Sequence, residues 1–175
     1  MENPFSTACP TLATAMRDLI VFPGIAVLQN LHPLVVHFPI AFLIAAMLLY
    51  WAAWITRRDD WGWPALWMLA GGALGGLLAI VTGLRARDSV MVAQSVRDQL
   101  LLRHEHAMIV AWALSLVALT WAWRGRPLPR SGRVSFMLLL LIMMLILAKG
   151  ADYGGWMVFG YNAGGSLPQP IEFAQ

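Results

Sequence analysis

Apolar residues run through this chain in four long stretches, the first three closed by arginine, and most polar residues gather in the segments between them. Pro33 to Thr56 holds no charged residue over 24 positions and lies between His32 and the run Arg57-Arg58-Asp59-Asp60. A helix rises about 1.5 Å per residue, so this stretch is long enough to cross ~30 Å of hydrocarbon. A second stretch runs from Trp63 to Leu84 and stops at Arg85 and Arg87; a third runs from His104 to Trp123 and stops at Arg124 and Arg126. The fourth starts at Val134. Only 15 uncharged residues separate Arg133 from Lys149, too few to span, so this helix is expected to continue past Lys149 towards Tyr153 or Phe159. The pattern predicts an all-α integral membrane protein, a four-transmembrane-helix bundle with spans at about 33–56, 63–84, 104–123 and 134–156.

The remaining segments read differently. Thr11 to Asn30 is moderately apolar but contains Arg17, Asp18, Pro23 and Gly24, which fits a helix lying in the interface better than a fifth span. Asp88 to Arg103 reads as a polar-ended extension of the third helix, with Asp88 or Ser89 as its cap. Gly and Pro after Gly160 predict an irregular tail. The division is therefore 1–30 interfacial segment, 31–165 transmembrane domain and 166–175 tail. The opening MENPFSTAC has neither a basic start nor an apolar run, so no cleaved signal peptide and no lipid anchor at Cys9 is expected.

Composition agrees with the pattern. Of 175 residues, 59% are apolar and 12% charged, and the mean hydropathy is +0.67, whereas a soluble domain has about 25% charged residues. No large extramembrane domain is left over. The single cysteine excludes a disulfide within the chain, a four-cysteine cluster and two-cysteine attachment of a c-type haem. The net charge of +3 comes with 12 basic residues, all but Lys149 arginine. These cluster at the span ends, as membrane topology demands, so nucleic acid is not an expected partner. The first and third loops carry Arg57, Arg58, Arg124, Arg126, Arg130 and Arg133; the longer middle loop carries Arg85, Arg87, Arg97 and Arg103. The positive-inside rule puts the two short loops in the cytoplasm and both termini in the periplasm of a bacterial inner membrane. Trp51, Trp54, Trp61, Trp63, Trp121 and Trp123 then form an aromatic belt on the cytoplasmic side.

All four histidines fall at the opposite ends of two spans: His32 and His37 open the first, His104 and His106 the third. At about 100° per residue, His32 and His37 stand ~140° apart and His104 and His106 ~200° apart. Each helix can aim one imidazole into the bundle, and two neutral imidazoles on facing helices suit axial ligation of a b-type haem. His37 lies ~7 Å deeper than His32, and His106 is the deeper of its pair. These two are the expected iron ligands, with His32 capping the helix ahead of Pro33 and with His32 and His104 at the mouth as a possible second site. Pro39 bends the helix near His37 or is a harmless kink.

In Gly71-Gly72-Ala73-Leu74-Gly75-Gly76 of the second helix, Gly71 and Gly75 form one smooth face and Gly72 and Gly76 its neighbour, suited to another helix or to a porphyrin lying on Gly72, Gly75 and Gly76. Lys149 and Asp152 are an i, i+3 pair that forms an ion pair, or else Lys149 joins Arg103 or Arg87 in balancing haem propionates. Glu105 projects away from both neighbouring histidines, so a regular helix cannot gather the three around a metal. The ten methionines read as packing.

Leu31-His32-Pro33-Leu34-Val35-Val36-His37-Phe38-Pro39-Ile40-Ala41 resembles the opening signature of a bacterial family of four-helix membrane proteins, domain of unknown function 2231. Val81-Thr82-Gly83-Leu84 and the Gly-Gly-x-x-Val-x-x-Gly pattern from Gly154 are similar to the family's later motifs, and the likeness covers about Leu31 to Gly165. Family members occur fused or adjacent to cytochrome c or iron–sulfur modules. The resemblance thus implies electron transfer, with His32, His37 and one of His104 or His106 at the family's histidine positions.

The expected function is a membrane cytochrome b-like subunit that holds one or two haems b and passes electrons between quinol and a periplasmic redox partner. Such a chain is a subunit of an oxidoreductase complex rather than a free-standing enzyme. The alternative is a cofactor-free scaffold or assembly subunit of a larger membrane complex. A metal site or small transporter ranks below both, because no helix carries a run of inward polar residues.

Overall fold

The computed structural model describes residues 31–89, 93–161 and 163; the expected interfacial helix and the 166–175 tail lie outside the described residues. Four helices are long and apolar enough to cross a membrane. We label them α1 (His32–Thr56), α2 (Gly62–Ala86), α3 (Leu102–Gly125) and α4 (Arg133–Tyr161). A 3₁₀ turn, Asp59–Trp61, joins α1 to α2. α3 is entered through one helical turn, Gln94–Val96, and a π-helical turn, Arg97–Leu101, in which the Leu102 N–H donates to the Arg97 carbonyl. α4 runs 12 residues past Lys149, as the short uncharged stretch before that lysine requires.

The helices pack as an up-and-down ring. α1 lies along α2 and α3 along α4, while α2–α3 and α1–α4 contacts close the other two sides, so α1 and α3 stand on a diagonal. Interior positions recur at alternating steps of three and four: Leu43, Ala46, Tyr50 and Ala53 on α1, and Ala111, Ser115, Ala118 and Ala122 on α3. This is the repeat of coiled-coil-like packing. Alanines on α1 and α3 meet Leu66 and Leu69 of α2 and Phe136, Leu140 and Met143 of α4. Large residues such as Phe38, Leu48, Trp67, Leu78, Leu138 and Leu145 point outward. Small residues inside and large ones outside are expected where the solvent is lipid, because packing rather than water exclusion holds membrane helices together.

The glycine-rich face of α2 is occupied by the protein itself. A Cβ on Gly72 would stand 2.6 Å from Leu43 Cδ2, one on Gly75 3.3 Å from Pro39, and one on Gly76 2.9 Å from Trp112 Cδ1. The Trp112 indole also donates to the Ala73 carbonyl at 3.0 Å. The glycines therefore let α1 and α3 approach the α2 backbone. Leu43, Pro39 and Trp112 fill the space beside Gly72, Gly75 and Gly76, the glycines on which a porphyrin was the alternative expectation. Pro39 is buried inside α1 at this contact.

At the end holding the two short connections, the loop after α3 folds back onto the bundle. Leu128 is fully buried, Pro127 lies 3.1 Å from where a Gly62 Cβ would stand, and the buried Tyr50 hydroxyl donates to the Pro127 carbonyl at 3.3 Å. Arg133 reaches Asp59 with contacts of 3.0 and 3.2 Å and tethers the start of α4 to the α1–α2 turn. At the other end, Val96, Leu100 and Leu101 pack on Tyr153, Met157 and Ala163, so the entry to α3 and the end of α4 form a small apolar cluster of their own.

Two expected caps are corrected. His32 is the first residue of α1 rather than its cap; Leu31 holds the cap position with no side-chain hydrogen bond, and Pro33 fills the first turn. Neither Asp88 nor Ser89 starts the α3 extension. Both belong to a 3₁₀ turn that closes α2, and the helix begins at Gln94 behind Ala93.

Candidate functional site

One polar layer crosses the bundle at the end where α1 begins. Its level follows from register. Trp112 of α3 lies beside Ala73 and Gly76 of α2, and the two helices are antiparallel, so the position two turns towards the start of α3, His104, comes level with Thr82 and Gly83. His32 is at the same level, because its Nδ1 lies 3.1 Å from the Thr82 Oγ1 and its Cε1 2.9 Å from where a Gly83 Cβ would stand. α4 contributes Gly150 and Gly154: His104 Nδ1 lies 2.8 Å from the Gly150 carbonyl, and its Cε1 3.0 Å from the position of a Gly154 Cβ. Two imidazoles on diagonal helices thus each rest on a glycine of the next helix.

The hydrogen bonds define which ring nitrogen carries the proton. A carbonyl only accepts, so His104 must donate from Nδ1, and in the neutral ring Nε2 then holds the lone pair. Gly154 makes this bond possible, since a side chain there would push the ring off the Gly150 carbonyl. The Thr82 hydroxyl has the carbonyls of Leu78 and Ala79 at 2.9 and 3.1 Å. Its oxygen also lies against Nδ1 of His32, so the ring is tied to α2 through Thr82. His104 thus has the hydrogen-bond arrangement of a ligating histidine, with Nδ1 anchored by a carbonyl acceptor.

His37 and His106, expected inside from their depth, are both exposed on the outer surface of the bundle. The reason is rotational. His32 takes the inward direction in the seam with α2, which turns His37 about 140° away, and His104 likewise turns His106 to the opposite side of α3. Depth along a helix and direction around it are independent, and here direction selects the shallower pair.

Charged residues flank the layer. Arg87 at the end of α2 lies 3.5 Å from a carboxylate oxygen of Glu105, whose side chain is only 16% exposed; that oxygen has no hydrogen-bond donor among the described residues. Arg97 donates to the Arg87 carbonyl at 2.6 Å. Glu105 points to Arg87 and joins neither histidine, consistent with its place on the helix. Arg103 is exposed. Lys149 and Asp152 pair with each other at 2.8 Å on the outside of α4, and the Lys149 ammonium sits over the Tyr153 ring. No group of three or more His, Cys, Asp or Glu among the described residues is arranged to hold a metal ion.

Thr82, Gly83, Gly150 and Gly154 received no role from sequence reasoning. A threonine followed by glycine late in α2, and a glycine four residues after Gly150, were the available signals: small residues on the helices that face a histidine are where a ring can be seated.

None of the curated proteins and none of the solved structures matches this chain. A family described as predicted membrane protein (DUF2231) matches residues 28–166. That range contains all four spans and the whole polar layer, and the chain belongs to this family.

Proposed function

We propose that the protein is an electron-transfer subunit of an inner-membrane complex, with both termini periplasmic, that binds haem b at the His32–His104 layer and passes electrons between quinol and a periplasmic redox partner. The observation that carries the reading is the His104 ring, anchored through Nδ1–H to Gly150 across the bundle from His32. A b-type haem supplies reversible one-electron transfer at its iron. The chain's own residues do the rest. His104 presents Nε2 as a base with its orientation set by Gly150 and Gly154; Thr82 and Gly83 hold the His32 ring; Arg87, next to Glu105, provides positive charge near the mouth. In this reading His32 and His104 take the ligand role that depth alone would give to His37 and His106, and the α2 glycines serve packing.

A dithionite-reduced minus oxidised visible spectrum of the detergent-purified protein tests the proposal. We expect sharp b-type bands that are lost in His104→Ala and in His32→Ala and retained in His37→Ala and His106→Ala. Bands that depend only on His37 or His106 would reject this site. A featureless spectrum from folded, haem-supplemented protein would reject the haem altogether. That outcome favours the second reading, a cofactor-free scaffold subunit, which draws support from the filling of Gly72, Gly75 and Gly76 by neighbouring side chains.

A further inference from the structure

The outer face of α3 carries a cleft far from the histidine layer. Its volume is about 460 Å³, and Leu116, Val117, Thr120, Trp121 and Arg124 line it. These residues follow one another at helical spacing over ~12 Å of rise, with a steady change in chemistry. Leu116 and Val117 give an exposed apolar floor at the deep end. Thr120 donates its hydroxyl proton to the Leu116 carbonyl at 2.7 Å, so its oxygen faces the cleft as an acceptor only. Trp121 forms a firm wall, seated over Gly132 and edge-on to Phe136. Arg124, in the last turn of the span, is exposed and forms no salt bridge among the described residues.

We propose that this cleft is a binding site for one anionic phospholipid, with an acyl chain over Leu116 and Val117 and its phosphate on the Arg124 guanidinium. Charge decides the occupant. Six arginines stand at this end of the molecule against two aspartates, and both aspartates are spent on arginines, Asp59 on Arg133 and Asp60 on Arg58. Among the described residues at this end, no further acidic group is left to meet the cation of a zwitterionic headgroup. A second copy docked by its own cleft would set Arg124 against Arg124, a like-charge contact that opposes pairing. The gradient from aliphatic floor to arginine matches a lipid whose phosphate sits at the end of the span.

Native mass spectrometry of the intact protein in mild detergent, titrated with phosphatidylglycerol or phosphatidylcholine, tests this. We expect one tightly retained phosphatidylglycerol and weaker phosphatidylcholine. Arg124→Gln should lower phosphatidylglycerol affinity about fivefold, the effect of about one basic residue near a membrane surface. Val117→Trp, which fills the floor, should lower it as well, while Arg85→Gln at the other end should leave it unchanged. Equal retention in wild type, Arg124→Gln and Val117→Trp would overturn the proposal, as would equal affinity for the two lipids. A dimer that Val117→Trp dissociates would show the cleft to be a protein interface instead. Every variant is a surface change, and an unaltered elution profile and thermal midpoint establish its fold.

Discussion

The decisive contacts in this protein are made by residues without side chains. Gly72 lies so close to Leu43 that an added Cβ would overlap it at 2.6 Å, whereas nothing among the described residues lies within 4 Å of the same position on Gly155. Overpacking a tight helix contact costs about 1–3 kcal/mol, while glycine to alanine at an open helical site gains up to ~1 kcal/mol. Gly72→Ala should therefore lower the thermal midpoint in detergent and Gly155→Ala should hold or raise it; the opposite order would contradict the packing. His104 offers a spectroscopic prediction at the same scale. Its bond to the Gly150 carbonyl requires the proton on Nδ1, so the imidazole ¹⁵N signals of the neutral ring in the cofactor-free protein should show a protonated Nδ1 and an unprotonated Nε2. Gly154→Ala should abolish that pattern by displacing the ring, and a protonated Nε2 in the neutral wild-type ring would refute the geometry.

Between elements, an apparently dispensable loop carries weight. Leu128 sits in the connection between α3 and α4 yet is fully buried among core residues of all four helices, so Leu128→Ala should cost about 2–5 kcal/mol, as for a core leucine. Tyr50→Phe removes the hydroxyl that donates to the Pro127 carbonyl and should cost about 1 kcal/mol. Asp59→Asn weakens the half-exposed tether to Arg133 and should cost less than about 1 kcal/mol. Unfolding titrations in a common detergent would rank the three, and a Leu128→Ala effect below that of Asp59→Asn would show that the loop is not part of the core. The sequence marks this connection only by its prolines and arginines. Its leucine is buried because Tyr50 and Gly62 leave a seat for Leu128 and Pro127, a fact distributed over three elements.

For the whole molecule, the orientation proposed above, argued from the arginine distribution over four spans, has residue 58 in the cytoplasm and residue 98 in the periplasm. In a Cys9→Ser background, a membrane-impermeant maleimide added to intact spheroplasts should label a cysteine at Asp98 and spare one at Arg58. The reverse would invert the proposed orientation, and labelling of both would break the four-span topology. The helices themselves were legible in the chain, including the continuation of α4 beyond Lys149. The exceptions were local: Asp88 and Ser89 were expected to start a helix that in fact starts at Gln94, because a 3₁₀ turn uses them to finish α2.

The number, order and approximate ends of the spans were determined by sequence alone, because the free energy of placing a segment in hydrocarbon is close to a sum over its own ~20 residues. The direction of each side chain was not. In water, an apolar stripe tells the inner face of a helix from the outer, but here the lipid is as apolar as the core. Phe38 and Leu43 look alike in the sequence, although one faces out and the other in. The same ambiguity covered the histidines. Their clustering was visible in the chain, but it took the seating of His32 on Gly83 and of His104 on Gly154 to decide that the shallower imidazole of each pair points inward. That choice is made by close contacts between helices, where the missing side chain of one residue creates the space that another fills.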